Sequence, residues 1–218
     1  MKSEERDIKI NIITLGACGV GKTSIINRIH FNKFEESLPA TIGIKYNIIK
    51  RNYTKKNIII SLNFRDTMGH EKYQSILPMQ YIRDSHIVLL VFCNIDTLNE
   101  VKNRWYKLYK DNANIDNSRF ILVGNKSDIF GNEREEIIRQ GEKFAEDIDA
   151  VFITCSAKSA DNMDNLERFI LTESKRFIDD EDNKKNNDKN NIDKQNKDKL
   201  TLDKNNSNNS TNKKGGCC

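Results

Sequence analysis

Short apolar runs recur along the first four fifths of the chain, and stretches of helical spacing separate them. The residues Ile8-Lys9-Ile10-Asn11-Ile12-Ile13-Thr14-Leu15 read as a buried strand. The same pattern predicts strands at 8–15, 45–51, 58–65, 87–93, 120–124 and 151–155. Ser24-Ile25-Ile26-Asn27-Arg28-Ile29 reads as the first turns of a helix. Thr97-Leu98-Asn99-Glu100 has capping-box spacing and predicts a helix around 98–111. Another helix is expected at 133–147 and a last one around 162–178. Met163, Leu166, Phe169, Ile170 and Phe177 recur in that last helix at roughly helical spacing, as core residues rather than a binding face do. Strands alternating with helices predict an α/β fold, a six-stranded mostly parallel sheet with helices on both faces. The polar link at 52–57 is short enough only for an antiparallel hairpin, which puts one antiparallel edge strand on the sheet.

The pattern stops abruptly after Ile178. Residues 179–214 are dominated by Asn, Lys, Asp and Ser, too polar to bury a core, and are expected to be a disordered tether. The 218 residues therefore divide into a short extension at 1–7, one domain at 8–178 and a tail at 179–218. No apolar stretch approaches the roughly 20 residues needed to cross a bilayer. The charged start, Met1 to Asp7, does not suit a secretory signal and points to the cytosol. The net charge of +4 is spread out, with no basic stripe interleaved with aromatics, so nucleic acid is not an expected partner. Cys18, Cys93 and Cys155 lack metal-ligand spacing; they are expected to be reduced, with Cys93 and Cys155 filling small core spaces.

Candidate chemistry begins just after the first strand. Gly16-Ala17-Cys18-Gly19-Val20-Gly21-Lys22-Thr23 fits the phosphate-cradling pattern G-x-x-x-x-G-K-[S/T], with Ser24 opening the helix behind it. Glycines let successive N–H groups turn inward on an anion, and the helix N-terminus adds unsatisfied donors. Lys22 would reach the β- and γ-phosphates, and the Thr23 hydroxyl would ligate Mg²⁺. The bland alternative is a glycine-rich turn that binds nothing; strand, loop and helix in register argue against it. Asn125-Lys126-Ser127-Asp128 follows an apolar strand. A carboxylate at Asp128 can accept hydrogen bonds from the guanine ring N–H and exocyclic amine, whereas adenine would face it with a lone pair. Asn125 would brace the loop, and the Lys126 stem would lie along the base. Asp66-Thr67-Met68-Gly69 ends another strand, with Asp66 placed to hold Mg²⁺ through water and the Gly69 N–H near the γ-phosphate. Thr154-Cys155-Ser156-Ala157-Lys158 follows the last strand and offers backbone donors to the guanine carbonyl. Either of these two segments alone is also consistent with an ordinary strand-to-helix turn.

From about Ile8 to Ile178 these motifs resemble a Rab-type small GTPase of the Ras superfamily, a P-loop NTPase small G domain, divergent in its second switch. The resemblance implies that Thr41, in Ala40-Thr41-Ile42-Gly43, ligates Mg²⁺ with Thr23 and Asp66 and senses the γ-phosphate. It places Phe34 against the guanine face, and reads Asp66 to Tyr73 as the second switch and Tyr81 to Ser85 as the segment after it. Lys22, Thr41, Gly69 and His70 are the implied catalytic set. Cys217-Cys218 resembles a double-prenylation signal; two prenyl chains would satisfy the need for two anchoring signals, while the rival reading is a redox or metal couple.

Several positions depart from the family pattern. His70 stands where most relatives align the attacking water with Gln, and Met68 replaces a small Ala. Leu38 stands at an aromatic position, Arg65 replaces a surface Trp used by effectors, and Lys45 and Tyr46 alter the same patch. Slow unassisted hydrolysis is the expectation. The resemblance implies GTP/GDP and Mg²⁺ as ligands, and as partners effectors, an exchange factor, an activating protein, a prenyl-transfer escort and a dissociation inhibitor. The G domain is expected to be monomeric and to cycle between cytosol and the cytosolic face of intracellular membranes through Cys217 and Cys218. Two functions fit: a hydrolysing switch in vesicle traffic, or a hydrolysis-deficient GTP-bound adaptor. An ATP-using kinase conflicts with Asp128.

Overall fold

The structure is a computed structural model that describes residues 6–53, 58–69 and 79–183. Six strands form one sheet: β1 (Arg6–Leu15), β2 (Ile44–Tyr53), β3 (Ile58–Thr67), β4 (Ile87–Phe92), β5 (Arg119–Gly124) and β6 (Ala150–Thr154). Their order is β2-β3-β1-β4-β5-β6, with β2 antiparallel to β3 and every other pair parallel. The six residues of β4 are all buried, as befits a central strand covered on both faces. On β1, Ile13 and Leu15 enter the core cluster with Val88, Leu90, Phe92 and Leu122, while Ile10 and Ile12 face the other way and are also fully buried. Both faces of the sheet are therefore covered.

The β2–β3 hairpin is longer than its composition predicts. The ladder runs from Ile44↔Thr67 to Tyr53↔Ile58, so Asn52 and Tyr53 belong to the strand and not to the link. Their side chains can be polar because β2 is the sheet's edge. The remainder of the link, 54–57, lies outside the described residues.

Helix α1 is Lys22–Phe31 and α2 is Met79–Arg83. The expected helix around 98–111 starts earlier, as α3 (Ile95–Glu100), continues through a π-helical stretch (Val101–Tyr106) and ends as α4 (Lys107–Asn112). Its capping box is Asn94 with Thr97, not Thr97 with Glu100. The Asn94 Oδ1 accepts from the Thr97 N–H at 2.9 Å, and the Asn94 N–H donates to Thr97 Oγ1 at 3.0 Å. A short Asn side chain caps as well as Thr does, and the apolar spacing alone does not separate the two registers. Helix α5 is Arg134–Asp147, entered through 3₁₀ turns at Ser127–Ile129 and Gly131–Glu133.

The chain divides into two units, Met1–Ser174 and Lys175–Cys218. In the first, a helix begins at 163 and buries Met163, Leu166 and Ile170. Phe169, expected in that core, is 37% exposed; six residues beyond Met163 it sits about a third of a turn off the buried stripe. Of the second unit, 175–183 are described and are helical. Among the described residues no helix is long and apolar enough to cross a membrane. Cys155 is buried as expected, but Cys93 is only partly so, because it lies at the end of β4 beside the α3 cap; Cys18 is exposed.

Candidate functional site

A cavity of about 900 Å³ opens where β1, β3, β5 and β6 end, the place where open α/β sheets accept ligands. It is walled by the 16–24 loop and the start of α1, by the segment from Phe34 to Gly43, by Thr67-Met68-Gly69, by Asn125, Lys126 and Asp128, and by Ala157 and Lys158. The volume suits a nucleotide-sized ligand. Gly16, Ala17, Val20, Asp66 and Ser156 are buried behind this surface. Of the residues expected at the site, His70 lies outside the described set, as do Cys217 and Cys218.

The loop after β1 closes on its own lysine. Lys22 Nζ donates to the carbonyls of Gly16 at 2.9 Å and Ala17 at 2.8 Å, and burial lowers its pKa to about 8 against the attraction of Asp66. Gly21 caps α1 in the left-handed region (φ 95°), and a Cβ there would run into Asn125 Nδ2. Position 21 thus needs glycine twice, for its backbone and for the approach of Asn125. At the other side, a Cβ on Gly69 would fall 2.5 Å from the Ala17 carbonyl and the Cys18 nitrogen, so the end of the β3 segment packs directly on the loop.

Three hydroxyl and carboxylate groups meet at the foot of α1. Thr23 Oγ1 donates to Asp66 Oδ2 at 2.6 Å and lies 3.0 Å from Thr41 Oγ1. Asp66 Oδ1 is buried with no hydrogen-bond partner, and burial raises the carboxyl's pKa although Thr23 and Lys22 pull it down. An unsatisfied carboxylate oxygen beside two hydroxyls is a hard-oxygen set, and such a set fits Mg²⁺. Among the described residues no cluster of three His, Cys, Asp or Glu offers a rival metal site.

Asn125 ties three loops together. Its Nδ2 donates to the Val20 carbonyl at 2.8 Å, its Oδ1 accepts from the Ala157 N–H at 3.1 Å, and its own N–H donates to the Phe92 carbonyl at 2.8 Å. The Ala157 N–H, one of the donors that sequence assigned to a ligand carbonyl, is thus used by Asn125. Asp128 Oδ1 accepts from Ser156 Oγ at 2.5 Å, which aims the carboxylate along the cavity. Lys126 takes the left-handed conformation (φ 63°) that turns the chain between the two. Phe34 is half-buried on the facing wall, and just past it Glu36 pairs with Lys158 at 2.8 Å.

The departures at Leu38 and Met68 both fall on the cavity wall. Arg65 does not stand as a surface replacement. It is 5% exposed, its Nη1 donates to the Tyr81 carbonyl at 2.7 Å and its guanidinium lies 5.1 Å from the Tyr81 ring centroid, while Tyr46 beside it is 51% exposed. Sequence reading missed Glu36 and Arg28, whose contacts reach residues more than a hundred positions away; no local pattern marks such pairs.

A sequence model of the Ras family matches residues 11–176, three quarters of the chain and every segment that walls the cavity. This chain belongs to the Ras family. The Ras-family chain is also 34% identical over 199 residues to the Ras-related protein Rab-11B of Dictyostelium discoideum, across 87% of its own length and 88% of that protein's. It is a Rab-like small GTPase by kinship, and its parallel sheet with one antiparallel pair is that of a Ras-type G domain.

Proposed function

We propose that this Rab-like protein binds GTP and GDP with Mg²⁺, hydrolyses GTP slowly by itself, and acts as a switch in membrane traffic. The observation that carries the reading is the convergence, around one cavity, of Asn125 and Asp128 just after β5, Ser156 just after β6, Lys22 and Thr23 at the start of α1, and Asp66 near the end of β3. Asp128 would accept from the guanine ring N–H and amine, with Lys126 along the base and Phe34 against its face. The loop 16–24 would cradle the phosphates, and Lys22 would exchange its loop carbonyls for phosphate oxygens. Thr23, Thr41 and Asp66 would hold Mg²⁺, which neutralises phosphate charge when bound. Gly69 and Thr41 would meet the terminal phosphate, so that their segments respond to its presence.

Met68 on the wall and His70, two positions further along the sequence, support slow turnover. An imidazole cannot both donate and accept as a planar amide does, and an activating protein can raise such rates by about 10³–10⁵. A single-turnover assay on the Mg²⁺–GTP complex tests this. Hydrolysis without a partner as fast as in relatives that carry Gln would contradict it, and GTP decay on the expected slow scale, rising sharply with an activating protein, would uphold it. The wider partners of the reading are effectors, an exchange factor, an activating protein, a prenyl-transfer escort and a dissociation inhibitor. The membrane would be reached through prenylated Cys217 and Cys218 at the end of the polar tail.

A further inference from the structure

Arg28 stands in the last turn of α1 and does not line the cavity, yet its guanidinium bonds both to Asn32, ahead of Phe34, and to the loop that carries Lys158; Phe34 and Lys158 do line it. Its Nε donates to the Ala157 carbonyl at 2.9 Å and its Nη2 to the Lys158 carbonyl at 3.1 Å. Its Nη1 donates to Asn32, to the backbone carbonyl at 3.0 Å and to Oδ1 at 3.3 Å. Ala157 and Lys158 follow Ser156, which aims Asp128. Asn32 is the left-handed cap from which the chain continues to Phe34. The strap 32–36 is then fastened to the loop 156–158 twice, by this fork at its start and by the Glu36–Lys158 pair at its end. The ion pair is exposed on both sides, where water and salt compete with it. The guanidinium differs in geometry: its rigid planar fork spreads separate donors over fixed acceptors on two segments, whereas an ammonium group gathers its donors on one atom.

We propose that Arg28 is a positioning residue that latches the strap carrying Phe34 to loop 156–158 and thereby sets how slowly bound guanine nucleotide leaves. The proposal rests on the reading of this cavity as a guanine-nucleotide site. A base held between Phe34 and the loop leaves only when one of those walls moves, and the latch resists that movement. GDP and GTP share the base, so release of both depends on Arg28 to the same degree. A cation at the carboxyl end of a helix also stabilises the helix dipole, a purely structural role that predicts lower stability without faster release.

The test uses the full chain loaded with GDP or GTP bearing a fluorescent ribose label, chased with excess unlabelled GDP. Arg28→Ala is expected to release both nucleotides about tenfold faster, the loss of roughly one charge-assisted hydrogen bond at the moving wall. Arg28→Lys keeps the helix-end charge but not the fork, and is expected to release nearly as fast as the alanine variant; it carries the test should that variant not fold. In a Phe34→Ala background the further effect of Arg28→Ala is expected to shrink to less than about twofold, because the strap no longer bears on the base. Slow release restored by lysine, or undiminished multiplication of the two effects, overturns the latch alone. Native protein that fails to take up the labelled nucleotide overturns the site reading, and the latch with it.

Discussion

Along one end of the cavity, Asn125, Asp128, Ser156 and Ala157 are joined by hydrogen bonds of 2.5–3.1 Å, and Arg28 and Lys158 fasten the wall opposite. At the other end, Thr41 Oγ1 lies 3.0 Å from Thr23 Oγ1 on α1, and among the described residues the Met68 N–H donates to the Gly43 carbonyl at 3.4 Å. The two ends differ in how much of the site is finished before a ligand arrives. Preformed donors and acceptors select a ligand without reorganising. At the phosphate end the unsatisfied Asp66 oxygen can change its contacts when a phosphate and a cation supply what it lacks. On this account, the base end confers selectivity and retention, and the phosphate end senses which nucleotide is bound.

Breaking the selective end should have the largest effect. Asp128→Ala removes the acceptor for the guanine N–H and amine, and the preference for GTP over ATP is expected to fall by roughly two orders of magnitude or more. Competition binding of the two nucleotides measures it. Asn125→Ala leaves the Val20 carbonyl and the Ala157 N–H without their partner in a site where Asn125 is only 1% exposed. A stability loss of about 2–4 kcal/mol is expected in urea unfolding, together with faster release of GDP. A loss below that range, with release unchanged, would mean the three loops are held otherwise.

Breaking the sensing end should discriminate between nucleotides. Thr41→Ala is expected to weaken GTP about tenfold while GDP changes little, read by displacement of labelled nucleotide. Equal weakening of both would place Thr41 in general cation binding and erase the contrast between the ends. The smallest effect concerns the thiols. Burial pushes the Cys155 thiol up to about 12, so it stays protonated at pH 8 and should resist alkylation, whereas exposed Cys18 should be labelled. Nucleotide bound over Cys18 should slow that labelling, and mass spectrometry of the ligand-free and GDP-loaded protein checks both statements.

The strands and the site loops were legible because both leave local marks. Continuous apolar runs can only be buried strands or helices, and the runs at 87–93 and 120–124 are too short for helices. The phosphate loop and Asn125–Asp128 are contiguous, and their chemistry is carried by residue type and spacing. What escaped was relational. Asn94 and Thr97 both suit a cap, and only the helix register separates them. Arg65 reads as a surface exchange until the Tyr81 carbonyl and ring are seen to take up its guanidinium. Phe169 shares the composition of the core stripe but not its angle. Arg28 looks like any cation near a helix end, since the carbonyls it serves on the 156–158 loop are remote in sequence.

The selective end bears most directly on whether this cavity is a guanine-nucleotide site at all. Isothermal calorimetry of nucleotide-stripped full-length protein with Mg²⁺ present, titrated in turn with GDP, GTP and ATP, measures that selectivity. The account expects tight binding of GDP and GTP and no measurable heat from ATP at the same concentrations. ATP binding on equal terms with GTP would contradict it.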